Sequence, residues 1–365
     1  MGMAVENIEK SFEGEKALDD ISMDIADGSF LTLLGATGAG KTSLMRIMAG
    51  IDPPDRGRVY YDGEDVTHVP VQKRHVAMVY QEFINYPSLS IYDNIASPLR
   101  VSRTKYSKNE IDRKVRQNAE LLGLTAILSH YPEEVSGGQK QRTAIARALV
   151  KDTKFIFLDE PLANLDYKLR EELRGELKTI LSQKGGVVVY ATPEPVDALS
   201  MSSHVAYFQE GRLLQYGELE SVYRQPQFVE VGAYFSYPTM NIMKADTVHD
   251  KERSFLHISD EIRIDATAYR DKLTQPGYLV GIRAYNLYTR QADPAHIPFQ
   301  ATVELTEELG SDTELHIRHQ DQPFVVLMQE VVRLPLGSEI TVYMDPSRLF
   351  IFDMDSRELV LKTFS

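Results

Sequence analysis

The sequence predicts an α/β domain built on a largely parallel sheet, followed by a smaller all-β domain. Three observations carry this. Short apolar runs, Phe30-Leu31-Thr32-Leu33-Leu34, Phe155 to Leu158 and Val187-Val188-Val189-Tyr190, read as strands buried on both faces. Helical periodicity stands between these runs, as crossover helices require. After about Phe235 the helical spacing fades into short strand-like segments separated by turns such as Gly310-Ser311-Asp312 and Asp345-Pro346. The length of 365 residues suits two domains at roughly 150 residues each, here 1–235 and 236–365.

Each element has its own signal. Leu18 to Ile25 is a first apolar run. Phe30 to Leu34 stops at Gly35, and Leu44, Ile47 and Met48 then recur at helical spacing, so Gly35 to Lys41 is a strand-to-helix turn. A turn rich in Gly and Pro covers Asp52 to Gly57. Ser107 and Glu110 form a capping box for a helix to Leu122, with Ile111, Val115 and Ala119 on one face. A second helix is expected over Gln139 to Val150. A third carries Leu169, Leu173, Leu177 and Ile180 and ends near Gly185-Gly186. In the tail, Tyr278–Ile282, Thr302–Leu305, Glu314–Ile317, Phe324–Met328, Ile340–Met344 and Leu349–Phe352 read as strands of a small barrel. A fragment from 240 to 365 should therefore fold as a β-rich unit.

Composition excludes several classes. There is no cysteine, which removes disulfides, cysteine metal sites and thiol nucleophiles. No apolar run approaches the ~18 residues of a membrane span. The net charge is −13, and acidic residues outnumber basic ones on both sides of Tyr237. Unaided binding to nucleic acid or to an anionic lipid surface is disfavoured.

Gly35-Ala36-Thr37-Gly38-Ala39-Gly40-Lys41-Thr42, with Ser43 after it, fits G-x-x-x-x-G-K-S/T between a strand and a helix. The glycines let backbone N–H groups wrap a phosphate, and the helix N-terminus adds partial positive charge. Lys41 is placed for the β- and γ-phosphates and Thr42 for Mg²⁺. At the end of an apolar strand, Asp159 would join the metal shell. Its neighbour Glu160 would orient or deprotonate the attacking water. An acidic pair alone would read as a solvated turn; beside a phosphate loop it reads as catalytic.

Val135-Ser136-Gly137-Gly138-Gln139-Lys140-Gln141-Arg142 puts a serine and two glycines directly before an Ala-rich helix. This is a second anion-binding helix end, which one nucleotide does not need from one chain. Ser136-Gly137-Gly138 alone would be a capped helix. In the order phosphate loop, Gln81, this stretch, Asp159-Glu160, it resembles the signature of ATP-binding-cassette (ABC) ATPases. The resemblance implies a P-loop NTPase core with a helical subdomain over about 86–150. It also implies a sandwich dimer in which Ser136, Gly137, Gly138 and Gln139 close over the ATP of the other subunit.

Further positions follow from the resemblance. Phe12 lies where an aromatic stacks on adenine. Gln81 matches the glutamine that links Mg²⁺ and water to the transporter contact surface. Leu162-Ala163-Asn164-Leu165-Asp166 resembles the loop that signals across the dimer, with Asp166 the cross-subunit contact. The catalytic set is then Glu160, Gln81 and Lys41, and the metal set Thr42, Gln81 and Asp159. One departure stands out: the family's histidine after Val187–Tyr190 is replaced, in Ala191-Thr192-Pro193-Glu194-Pro195, by Pro193. His204 reads as a surface histidine rather than a substitute.

Val280-Gly281-Ile282-Arg283, Leu309-Gly310-Ser311 and Asp345-Pro346-Ser347-Arg348-Leu349 resemble the OB-like (TOBE) regulatory domain of importer ATPases, closest to those of carbohydrate, glycerol-phosphate or polyol importers. The expectation is an ATP- and Mg²⁺-dependent subunit on the cytoplasmic face of the plasma membrane, held there by two permeases fed by a periplasmic solute-binding protein. Its dimer is either a homodimer or, on the strength of Pro193, a heterodimer with a second ATPase. A mainly regulatory, weakly hydrolysing subunit is the alternative. A soluble ABC protein of translation or DNA maintenance fits poorly, since one phosphate loop and no heptads are present.

Overall fold

The chain enters through an antiparallel hairpin, β1 (Met3–Phe12) and β2 (Glu15–Ile25). Register shifts after Val5, Ile8 and Lys10 break the period-2 alternation of β1, which is why the sequence pattern conceals this strand. There follow β3 (Phe30–Leu34), α1 (Lys41–Ala49), β4 (Arg56–Tyr61), β5 (Glu64–Asp65) and β6 (Val76–Val79). Three helices come next: α2 (Ile91–Arg100), α3 (Lys108–Leu121) and α4 (Gly137–Leu149). The unit closes with β7 (Phe155–Asp159), α5 (Tyr167–Lys184), β8 (Val187–Thr192), α6 (Pro195–Met201), β9 (His204–Gln209) and β10 (Arg212–Glu218). The computed structural model describes residues 2–82, 84–102, 104–163 and 165–364, with the backbone alone at 183 and 184.

Two sheets build this unit. β2-β1-β4-β5 is antiparallel; β10-β9-β3-β8-β7-β6 is parallel except at the β10 edge. The central strands are buried on both faces, as their unbroken apolar runs predict. Phe30, Ile156, Leu158, Val188 and Tyr190 join a core with α2 to α5. Their neighbours Leu31, Leu33, Phe155, Phe157, Val187 and Val189 face the opposite way, into a core with α1 and the antiparallel sheet. α3 starts at the expected capping box, with Ser107 and Glu110 bonding each other's backbone.

The second unit runs from Glu220 to Ser365. Its start precedes the change of sequence texture near Phe235 because a short helix, α7 (Leu219–Arg224), leads into it and a second, α8 (Val229–Tyr234), packs there. Val229 of α8 lies in one cluster with Met240, Leu279, Phe350 and Phe352. One sheet holds β11 (Asn241–His249), β12 (Ser254–His257), β13 (Arg263–Asp265) and β14 (Gly277–Ile282), together with β20 and β21 below. The other holds β15 (Leu287–Tyr288), β16 (Ile297–Glu308), β17 (Thr313–His319), β18 (Gln322–Met328) and β19 (Glu339–Met344). β20 (Phe350–Asp353) and β21 (Leu359–Lys362) complete the first. All six expected tail strands are present, and the two sheets enclose one core, with Met243, Val280 and Ile351 meeting Val303, Ile317, Val326 and Val342. This is the OB-like architecture. β11 to β13 escaped the sequence reading.

Candidate nucleotide site

The parallel sheet delivers its loops to one end, and the phosphate loop leaves β3 there. Gly35 has φ +150°, and a Cβ on it would stand 2.2 Å from the carbonyl oxygen of Phe208 on β9. Only glycine lets the chain turn out of the sheet that close to a neighbouring strand. Lys41 opens α1 almost fully buried, its ammonium donating to the carbonyls of Gly35 (2.7 Å) and Ala36 (2.8 Å). Burial lowers its pKa, while the charges of Glu160 and Asp159 oppose that shift.

β7 lies two strands from β3 and ends at the same edge. Its last residue, Asp159, accepts the Thr42 hydroxyl at 2.9 Å. Burial raises the Asp159 pKa, against the pull of the Thr42 hydrogen bond and of Lys41 and Arg46. Glu160 turns out of the strand at φ +42°, an uncommon conformation for a residue with a side chain, and its N–H donates to Ala191 of β8 at 2.9 Å. The Gln81 amide, after β6, donates to the Glu160 carboxylate at 3.1 Å. Burial raises the Glu160 pKa first; Lys41 lowers it, and the charges of Asp159 and Glu194 raise it further. Lys41, Thr42, Gln81, Asp159 and Glu160 are thus brought together by three strand ends.

The other expected residues sit apart. Phe12, last in β1, is exposed at 47%, with the Lys10 ammonium 5.5 Å above its ring. Ser136 caps α4 by accepting from the Gln139 N–H, and Gln139 returns a bond to the Ser136 N–H at 2.9 Å. Among the described residues no hydrogen bond joins them to the phosphate loop. A Cβ at Gly138 would fall 2.4 Å from a Leu169 methyl, so close approach of α4 to α5 explains that glycine. Gly137 has nothing within 4 Å of such an atom. Asp166 caps α5 through the Leu169 N–H at 3.0 Å; Asn164 of the same loop lies outside the described residues.

His204 begins β9, where it pairs in parallel with Leu31, and bonds Ser203. The phosphate loop leaves the opposite end of β3, roughly 13 Å along the strand at ~3.3 Å per residue. It is no substitute at the Pro193 position.

What the sequence reading missed lies behind Glu160. Asp197 of α6 accepts from Arg174 Nε (2.7 Å), the Thr192 hydroxyl (2.8 Å) and the Tyr190 hydroxyl (3.2 Å), all buried. Arg170 and Arg174, one turn apart on α5, were legible only as an ordinary charged helix face. Arg174 finds its meaning in Asp197 of α6, and Arg170 in Glu194, which stands between β8 and α6.

Fold and loop together define a P-loop nucleotide-binding ATPase. The ABC transporter family pattern matches residues 18–163, and the TOBE domain pattern matches 280–352. The trehalose/maltose import ATP-binding protein MalK of Thermococcus litoralis is 36% identical over 364 residues, covering 96% of this chain and 97% of that protein. The alpha-glucoside transport ATP-binding protein AglK of Rhizobium meliloti is 31% identical over 361 residues, 98% of each. Among solved structures, the dimeric ATP-binding cassette MJ0796 in a post-hydrolysis state with ADP and Pi aligns with a TM-score of 0.54 and 27% identity, over 60% of this chain and 98% of that one. The chain belongs to the ATP-binding subunits of ABC importers. It binds ATP and is the ATPase component of such an importer.

Proposed function

We propose that this subunit hydrolyses ATP at a Mg²⁺-dependent site to energise uptake of a carbohydrate or polyol. The observation that carries the catalytic part is the convergence of Thr42 on Asp159 at 2.9 Å and of Gln81 on Glu160 at 3.1 Å beside the phosphate loop. Lys41 serves the β- and γ-phosphates, the loop N–H groups from Gly35 to Ser43 wrap them, and Phe12 stacks on the base. Glu160 holds the attacking water and takes its proton; Gln81 fixes the carboxylate.

The residues present fit a magnesium ion. A hydroxyl, a buried carboxylate and an amide oxygen form a hard donor set of the kind that ion takes, and Asp159 is buried as a carboxylate should be only with a cation at hand. Thr42, Asp159 and Gln81 would hold it, and it would neutralise charge on the phosphates. Chelation with EDTA should abolish phosphate release, and added Mg²⁺ should restore it. Hydrolysis that persists in EDTA would remove the metal from this reading.

Gly137 supports a sandwich dimer. Among the described residues nothing requires a glycine there, whereas a phosphate bound by another subunit would. Asp166 then faces across the dimer. Pro193, with His204 at the far end of the sheet, supports a heterodimer with a second ATPase whose own site this chain's signature completes. Full transport with this chain as the sole ATPase would reject the heterodimer in favour of a homodimer. The same reconstitution, with two permeases and a solute-binding protein on the membrane's cytoplasmic face, tests the cargo. The carbohydrate class rests on the names of the relatives, and sugars and polyols should stimulate hydrolysis where polyamines do not.

A further inference from the structure

Behind Glu160 lies a cleft of about 160 Å³, walled by Glu160 and Ala163 on one side and by Thr192, Pro193 and Glu194 on the other. Arg170 reaches into it from the first turn of α5. One arm of its guanidinium points to the Glu194 carboxylate at 3.6 Å, and the other donates to the Ala163 carbonyl at 3.4 Å. Among the described residues its buried Nε has no hydrogen-bond partner.

Arg174, one turn further along α5, shows what a purely structural arginine looks like here. It is buried, and it is tied to Asp197 at 2.7 Å and to Glu171. Asp197 is in turn saturated by Thr192 and Tyr190. That network anchors α6 and the end of β8. Arg170 differs on each count: its contacts are long, its Nε is unsatisfied, and its two partners sit on two different loops. Glu194 belongs to the loop after β8, where its N–H donates to Thr192 Oγ1 at 3.1 Å. Ala163 belongs to the loop between Glu160 and Asp166.

We infer that Arg170 and Glu194 form a positioning clamp that ties the loop carrying Asp166 to the wall behind Glu160, so that closure against a partner subunit is felt at the attacking-water position. The forked guanidinium suits this, since it can hold two acceptors in a fixed relation where an ammonium holds one point. Slack contacts and a free Nε leave room for the fork to tighten when the Asp166 loop is pressed. The clamp lies beside Pro193, which lines the same cleft. The inference rests on Glu160 being the residue that holds the water.

The test uses the full chain in the dimer that hydrolyses ATP, following a single turnover at excess protein. Where the partner is a second ATPase, it carries a disabled phosphate loop, so that only the site built on this chain's Lys41 turns over. Arg170→Ala should lower the hydrolysis rate on the order of 10-fold, a misplacement effect, with ATP affinity and melting temperature kept. Arg170→Lys should recover only part of the rate, because one ammonium cannot serve both loops. Glu194→Gln should slow hydrolysis, and adding it to Arg170→Ala should cost nothing more, as expected of two members of one device. An unchanged rate in Arg170→Ala, or a fall matched by losses of affinity and melting temperature, would overturn the clamp. Glu160→Gln hydrolysing at the parent rate would instead overturn the reading beneath it, whatever Arg170 does.

Discussion

At the phosphate loop the functional side chains have partners inside the chain: Lys41 on the loop carbonyls, Thr42 on Asp159, Gln81 on Glu160. At the signature end, the Ser136 and Gln139 side chains bond each other's backbone, and among the described residues nothing outside its own helix lies within 4 Å of where a Gly137 Cβ would stand. One end is an assembled binding element whose residues explain one another. The other is a well-made helix start with one residue that the chain itself does not explain. The difference teaches where the missing half of the chemistry comes from: a surface whose composition has no internal reason is shaped by something that docks on it.

The largest effect is expected at the assembled end. Lys41→Ala removes the buried cation beside Asp159 and Glu160, and phosphate release should fall by ~10³, the scale for losing one preorganised charge contact. An alanine variant within tenfold of the parent would show that the loop backbone alone does the work, and would weaken the contrast at its stronger side.

The next pair sets the two ends against each other. In a dimer of this chain alone, Glu160→Gln and Ser136→Arg should each cut turnover by ~10² or more, with opposite assembly behaviour; in a heterodimer Ser136→Arg should cost transport more than Glu160→Gln. Glu160→Gln keeps its nucleotide and should accumulate as an ATP-dependent dimer in gel filtration. Ser136→Arg should bind ATP at its own loop as before and form no such dimer. A Ser136→Arg protein that dimerises normally with ATP would place the signature away from any interface.

How much of this the sequence displayed depended on the range of the interactions. The phosphate loop, the capping box at Ser107, the capped helix start at Ser136 and the buried strands were legible because their causes are local: a glycine spacing, a cap, an unbroken apolar run. β1 was not, because its bulges at Val5, Ile8 and Lys10 destroy the alternation that marks a strand. β13 was hidden because it is a three-residue edge strand whose charged residues, Arg263 and Asp265, read as a turn. The site behind Glu160 was least visible. Asp197, Thr192, Arg174 and Arg170 acquire their roles only when β8, α5 and α6 are folded together, and no spacing within one element announces that.

The smallest effect separates two adjacent glycines. Both stand in the first turn of α4, where alanine is intrinsically favoured by up to about 1 kcal/mol in a helix. At Gly138 that gain meets an obstacle, since the new methyl would sit 2.4 Å from Leu169 Cδ2. Leu169 packs against the core and must rotate or shift, an overpacking cost of about 1–3 kcal/mol. Gly138→Ala should therefore lower the melting temperature by about 2–4 °C per kcal/mol of net loss. At Gly137 the methyl meets nothing, so Gly137→Ala should melt at the parent temperature or slightly above. Its cost should appear elsewhere: the methyl would occupy the approach to another subunit's phosphate, and ATP-driven dimerisation should weaken several-fold while ATP binding at this chain's own loop is untouched. A variant more stable than the parent yet poorer at assembling is the outcome that only an external partner at Gly137 explains. If Gly137→Ala assembles and hydrolyses as the parent does, the space beside it is ordinary surface, and Gly138 alone of the two has a cause, in packing.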